Sequence, residues 1–189
     1  MTIECEQQVV EQARHDHQAF RQLYRLYFPR VYAYVNYRVG NAQDVEDLVA
    51  ETFLSVVRTL DSFEWRHDNS FAAWLFRIAH NLISNFYRAG DRAAQPLALD
   101  ALPEIKDHAL LPEDAVLRNE IFSHLQGLVH TLSARRCEVI TLKYYAGLQN
   151  REIAEVLGLD ERTVASHLSR ALTDLLEMYQ AGAGSSTAR

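Results

Sequence analysis

Outside one segment near its middle, almost the whole chain reads as helix, because its apolar residues recur at i, i+3, i+4 and i+7. Phe20, Leu23, Tyr24, Tyr27, Phe28 and Val31 predict an early helix, with Pro29 marking a break or a new start. Val45, Leu48, Val49, Thr52, Phe53, Val56, Val57 and Leu60 predict a second, and Phe71, Trp74, Leu75, Ile78, Ala79, Leu82 and Phe86 a third. Farther on, Ser133 can cap a helix that runs through Val139, Ile140 and Leu142 to Tyr145, with Gly147 after it.

The most specific stretch is 150–172. Ile153, Ala154 and Leu157 form one apolar face of a short helix, and Gly158 breaks it where the chain must turn sharply, since glycine takes positive φ at little cost. Asp160 can cap a second helix, which Val164, Leu168, Ala171 and Leu172 would dock. This is the pattern of a helix-turn-helix. Its second helix meets base edges through N-terminal residues, here Glu161, Arg162, Thr163 and Ser166. On spacing alone, a helical hairpin with no nucleic acid role is the other reading.

Composition is ordinary for a globular protein, with 48% hydrophobic and 23% charged residues, and 189 residues suffice for one large domain or two small ones. Three of the four prolines, Pro96, Pro103 and Pro112, fall within 93–117, where five carboxylates face a single lysine and periodicity is lost. Residues 93–112 therefore predict an acidic, extended linker. It joins a helical domain over 1–92 to a second over 113–180, with 181–189 a disordered tail. The expected class is all-α: two small helical domains, the C-terminal one containing the helix-turn-helix. No apolar run could cross a bilayer and no basic-then-apolar leader opens the chain, so membrane insertion is not expected and a cytoplasmic location is. Cys5 and Cys137 lack a paired spacing and read as reduced bystanders.

Charge changes the picture. The net charge is −6, and residues 150–177 hold three arginines against six carboxylates, a balance of −3. A free-standing DNA-binding protein draws affinity from lysine and arginine on phosphates. The motif makes more sense if a larger, DNA-gripping partner supplies those contacts.

Two polar faces stand out. Asp44, Asp47 and Glu51 share one side of the second helix, which reads either as a solvated acidic face or as a docking face. On the third helix Arg77, Asn81, Ser84 and Arg88 fall at i, i+4, i+7 and i+11, with His80 and Asn85 beside them. Asparagine and arginine can contact bases in bidentate fashion, and arginine can hold phosphates. Just before this helix, the polar loop Arg66, His67, Asp68, Asn69 and Ser70 follows Trp65, where it could hold an unstacked base. Polar helix surface is the plainer reading of both features.

In combination, the segments 44–58 and 71–83 followed by the helix-turn-helix resemble the bacterial extracytoplasmic-function (group 4) sigma factors, over roughly 15–92 and 115–178. The resemblance implies an alternative RNA polymerase sigma factor that directs promoter-specific initiation, in a response to stress or to the envelope. The N-terminal domain would bind core RNA polymerase and melt the minus-ten element. The C-terminal domain would read the minus-thirty-five element of promoter DNA. By resemblance, the acidic helix with Asp44, Asp47 and Glu51 packs on a basic coiled coil of the largest polymerase subunit. The helix carrying Arg77 and Asn81, with the loop before it, holds the opened non-template strand. Arg162, Thr163, Ser166, His167 and Arg170 face the minus-thirty-five element. The family commonly places a basic residue where Ala165 and His167 stand here. Many relatives are held by an anti-sigma factor.

Enzymatic readings find little support. In His15-Asp16-His17 the two histidines, at i and i+2 on a helix, point to different sides and have no metal-binding partners nearby. There is no glycine-rich phosphate loop and no nucleophile signature, so neither metal nor cofactor is expected. A conventional helix-turn-helix regulator would explain 150–172 but leave the N-terminal motifs without a purpose.

Overall fold

The structure, a computed structural model, describes residues 3–68, 70–89 and 127–186. The N-terminal domain is built from α1 (Ile3–Gln12), α2 (His17–Val39), α3 (Ala42–Thr59), a 3-10 turn (Leu60–Ser62) and α4 (Ser70–Ala89). After a helical stretch over 127–131 come α5 (Ala134–Tyr144), α6 (Asn150–Leu157) and α7 (Glu161–Ser186). No strand occurs among the described residues. No helix among them is long and apolar enough to cross a membrane.

Local chemistry sets the boundaries. Asp16 caps α2, its carboxylate accepting from the Gln18 N–H at 2.8 Å, so the residue between the two histidines serves as a helix cap. α2 ends at Gly40 in the left-handed conformation (φ 67°), and Asn41 at once caps α3, accepting from the Gln43 and Asp44 N–H groups at 3.0 and 3.2 Å. Pro29 does not break α2, as the sequence suggests it would. The helix runs through it because Pro29 and Arg25 both lie on the exposed side, where water can satisfy the freed carbonyl.

Val31, Tyr34 and Val35 on α2 meet Val45, Val49 and Val56 on α3 and Phe71, Leu75, Phe76, Ala79 and Ile83 on α4 in one core. That core does not stop at the domain boundary. Val139, Leu142, Ala146, Leu148, Ile153, Ala154, Val156 and Val164 of the C-terminal domain belong to the same continuous apolar cluster. α6 lies against α4, where Ala72, Ala73 and Ala154 are small and buried. The two domains are thus packed together. Tyr37 of α2 goes further, sitting in a second cluster with Val129, Leu132, Ile140 and Ala171.

Two expectations change at the edges. Val57 and Leu172 fit the apolar repeats but are 55% and 42% exposed. The tail expected to be disordered continues α7 to Ser186, because extending an existing helix adds one hydrogen bond per residue fixed. The linker over 93–112 lies outside the described residues.

Candidate nucleic-acid interface

The helix-turn-helix forms as its residues require. Gly158 takes φ 65° between α6 and α7, and the Leu159 N–H reaches back to the Ala154 carbonyl at 2.9 Å. Glu152 accepts from the Gln149 N–H at 2.8 Å and closes the start of α6. The Val164 N–H bonds the Asp160 carbonyl at 3.1 Å, with Asp160 directly before α7. Ser133 precedes α5 without a side-chain cap. Val164 and Ala171 are fully buried under α7, which leaves Arg162, Ser166 and Arg170 exposed on the other side and Thr163 and His167 half-buried. An ion pair from Arg136 to Asp174 ties α5 to α7.

On α3, Asp47 is exposed while Asp44 and Glu51 are half-buried. Gln43 reaches Asp47 at 3.3 Å, and Arg58 pairs with Glu51 at 3.1 Å. Leu54, 49% exposed, extends this strip with Val57 beside it, so the acidic face carries apolar surface that the helical repeat alone does not announce.

Around α4 the loop and the helix come together as expected, but much of the surface is already engaged. Arg66, Asp68, Arg77, Asn81, Asn85 and Arg88 are exposed; His67, His80 and Ser84 are half-buried; Asn69 lies outside the described residues. Ser70 is buried, and its hydroxyl accepts the Arg66 N–H at 3.3 Å, so it braces the loop from inside. Arg88 bonds Asn85 and the Ser84 carbonyl. A polar cleft of about 380 Å³ opens beside Trp74, lined by Arg66, Glu64 and Arg77 from this domain and by Glu155 from the other.

Three of the residues placed on the minus-ten side by sequence reach across to the C-terminal domain. His67 Nε2 meets the Glu155 carboxylate at 2.6 Å, and Arg77 donates to the Glu155 carbonyl at 2.7 Å. His80 Nδ1 lies 3.0 Å from the buried Glu138 carboxylate, which also takes Arg38 and Arg135 at 3.4 Å each. Burial pushes the Glu138 carboxyl up, but the His80 hydrogen bond and the charges of Arg38, His80 and Arg135 outweigh it and hold it below the usual carboxylate range. Arg30 stacks over Tyr27 and Phe76 and donates to the Ala146 carbonyl at 2.7 Å. Tyr37 stacks on His130 (centroids 4.8 Å apart) and lies tilted against Tyr145. Sequence reasoning misses Arg30, Tyr37, Glu138 and Glu155, since nothing local marks a contact made about a hundred positions away.

Comparison with known proteins follows the same division. The family model for sigma-70 region 2 matches residues 23–93, and that for sigma-70 region 4 matches 124–175. The ECF RNA polymerase sigma factor BldN of Streptomyces coelicolor is 32% identical over 160 residues, 85% of this chain and 60% of BldN, so the chain spans less than two thirds of that relative. The ECF RNA polymerase sigma-E factor of Salmonella typhimurium is 33% identical over 167 residues, 82% of this chain and 84% of that one. The solved structure of CnrH in complex with the cytosolic domain of CnrY matches with a TM-score of 0.65 at 27% identity, covering 92% of this chain and 96% of that chain.

Proposed function

We propose a function from one premise: the chain belongs to the extracytoplasmic-function sigma factors of bacterial RNA polymerase. It is an alternative sigma factor, a subunit without chemistry of its own that directs core RNA polymerase to a particular set of promoters from within the cytoplasm. α3 is the polymerase-docking helix, where Asp44, Asp47 and Glu51 supply charge complementary to a basic surface and Leu54 supplies apolar area. α4 and the loop before it read and hold the minus-ten strand, with Asn81 and Arg77 on bases and Arg88 on phosphate. The N-terminal half of α7 reads the minus-thirty-five element through Arg162, Thr163, Ser166, His167 and Arg170. A further partner, an anti-sigma factor that holds the chain until it is needed, agrees with the solved CnrH structure, in which a chain of this fold is bound by a second protein, the cytosolic domain of CnrY.

The observation that carries this reading is the face of α7. Val164 and Ala171 fix one side of the helix in the core and leave Arg162, Ser166 and Arg170 projecting from the other, directly after the turn at Gly158. The test is transcription in vitro from a pool of randomised promoters by core polymerase with and without the chain. Enrichment of a two-element promoter only when the chain is present is expected. A pool that stays random, or tight sequence-specific duplex binding by the free chain without polymerase, overturns the reading.

A further inference from the structure

The loop before α4 is pinned at its start by a residue far from it in sequence. Arg14 stands in the turn between α1 and α2, and its guanidinium donates to the Phe63 carbonyl at 2.7 Å, across 49 positions. The turn is itself fixed. The Ala13 N–H bonds the Val9 carbonyl and the Asp16 N–H the Gln12 carbonyl, each at 2.9 Å, and Val9, Val10 and Ala13 are buried in the core. Glu11 also lies 3.3 Å from Arg14, but as an exposed partner three positions away it contributes little. The Arg14 Nε is buried without a partner among the described residues, so the side chain keeps the carbonyl while one of its own donors goes unused. Phe63 is the hub that this bond holds. Its ring is 6% exposed and packs on Trp74, Phe71 and Trp65, with centroids 4.9, 5.6 and 6.3 Å away. Trp74 in turn walls the polar cleft that Arg66 and Arg77 line. At the far end of the loop, the Ser70 hydroxyl holds the Arg66 N–H. Between these two pins, residues 64–68 form neither helix nor strand.

We propose that Arg14 is a positioning residue for minus-ten recognition: its hydrogen bond to the Phe63 carbonyl sets the loop and the aromatic wall of the cleft before any strand arrives. The inference rests on the assignment of the loop and α4 given above. The region 2 match begins at residue 23, so Arg14 lies outside it. A contact surface held in place by side chains that are themselves locked is more exact than one left to a loop alone. It also lowers the ordering cost that a strand would meet on binding. Without the Arg14 donor the core around Val9 and Val10 can still close, and the docking face of α3 takes no part in the bond. The expected loss is therefore confined to the grip on the opened strand.

Arg14→Met and Arg14→Lys test it in the full-length chain. Methionine keeps an aliphatic stem without the donor, and lysine restores a donor. The two tryptophans of the chain, Trp65 and Trp74, both pack on Phe63, so acrylamide quenching of their fluorescence reads the loop directly. The second readout is the affinity of the variant, bound to core polymerase, for a fluorescent single strand carrying the non-template minus-ten sequence that wild type selects. Arg14→Met is expected to raise quenching and to weaken strand binding about tenfold, the scale of one hydrogen bond to a charged group. Helical content by circular dichroism and retention by core polymerase should stay at wild-type levels. Arg14→Lys should recover most of both losses. Unchanged quenching in Arg14→Met overturns the proposal, and so does raised quenching with wild-type strand affinity. A lysine variant no better than the methionine one overturns the role of the donor. Loss of helical content or of polymerase retention together with strand affinity makes Arg14 a brace for the whole domain and overturns it too. Quenching does not depend on promoter recognition. Wild-type chain that selects no minus-ten sequence with core polymerase, while Arg14→Met still loosens the tryptophans, would count against the sigma reading and not against the bracing of the loop.

Discussion

α4 and α7 carry the same kinds of side chain for the DNA contacts proposed above, yet in the free molecule they are in opposite conditions. On α7, Arg162, Ser166 and Arg170 stand exposed. Beside and along α4, His67, Arg77 and His80 are held by oxygens of the neighbouring domain. The C-terminal domain thus displays its own proposed reading face while it engages part of the one proposed for its partner. Net charge of −6 already argues for weak binding by the free chain. The contrast adds that counting cations overstates what is available, because some of those present are spent on internal carboxylates and carbonyls.

Tyr37→Ala should break the contrast most completely. The ring is 5% exposed and packs in a cluster with C-terminal residues. Truncating a buried aromatic costs about 3–5 kcal/mol, here taken largely from the contact between domains. Scattering should report an expanded chain while circular dichroism keeps its helical content. A chain that stays closed would mean that α4 and α6 suffice to join the domains.

Next in size are substitutions that sharpen the contrast within the polymerase complex, where both faces should be open. Asn81→Ala should cost about 1–3 kcal/mol at particular minus-ten bases, and Arg162→Ala a similar amount at the minus-thirty-five element. Selection from randomised promoters separates the two, and an unchanged base preference in either variant removes that residue from direct readout. Arg88→Ala should act more weakly and alike on all sequences, lowering the salt slope of binding by about 1. Discrimination between sequences by that variant would move Arg88 from phosphate to base.

The smallest effect is on pH. His130, stacked on Tyr37 across the domain contact, sets its sign. Burial, and then the Arg38 charge, lower its proton affinity, so its share is present above about 6.5 and fades as pH falls. The share of Glu138, held below the usual carboxylate range, persists until pH drops under about 4. The contact between domains should therefore loosen as pH falls from about 7.5 to 5.5, and His130→Gln should flatten that dependence. Scattering across that range checks this, and an unchanged pH dependence in the variant would assign the proton to another group.

The helices are legible in the sequence where one face buries a regular stripe, as in α3, α4 and the pair α6–α7. Periodicity has two blind spots here. A stripe needs only three or four residues in two turns to dock, so apolar positions beyond that number, Val57 and Leu172 among them, can remain in water. Nor can periodicity see that Tyr37, which continues the apolar side of α2, serves the other domain, since its contact with Cys137 spans 100 positions. The candidate DNA residues emerge as polar exceptions on amphipathic helices. That some of them are already bonded depends on how two domains dock, and no local pattern encodes it. Asp16 is the reverse case: between two histidines it invites a metal reading, and one backbone hydrogen bond accounts for it.

The turn at Gly147 has a consequence for the history of the chain. Its φ of 66° favours glycine on conformational grounds, while a Cβ there would meet the Arg30 guanidinium at an ordinary 3.5 Å, so the shape of the turn and not the space holds the position. Arg30 belongs to the other domain and donates to the Ala146 carbonyl beside this turn at 2.7 Å. The shape of the turn is therefore read by a residue that a separate structural unit contributes. Across descendants of a common ancestor, positions 30 and 147 should vary together although they lie in different units of recombination. A chimera that joins this N-terminal domain to a C-terminal domain whose turn takes another shape would leave Arg30 without its carbonyl partner, a mismatch visible in neither parent.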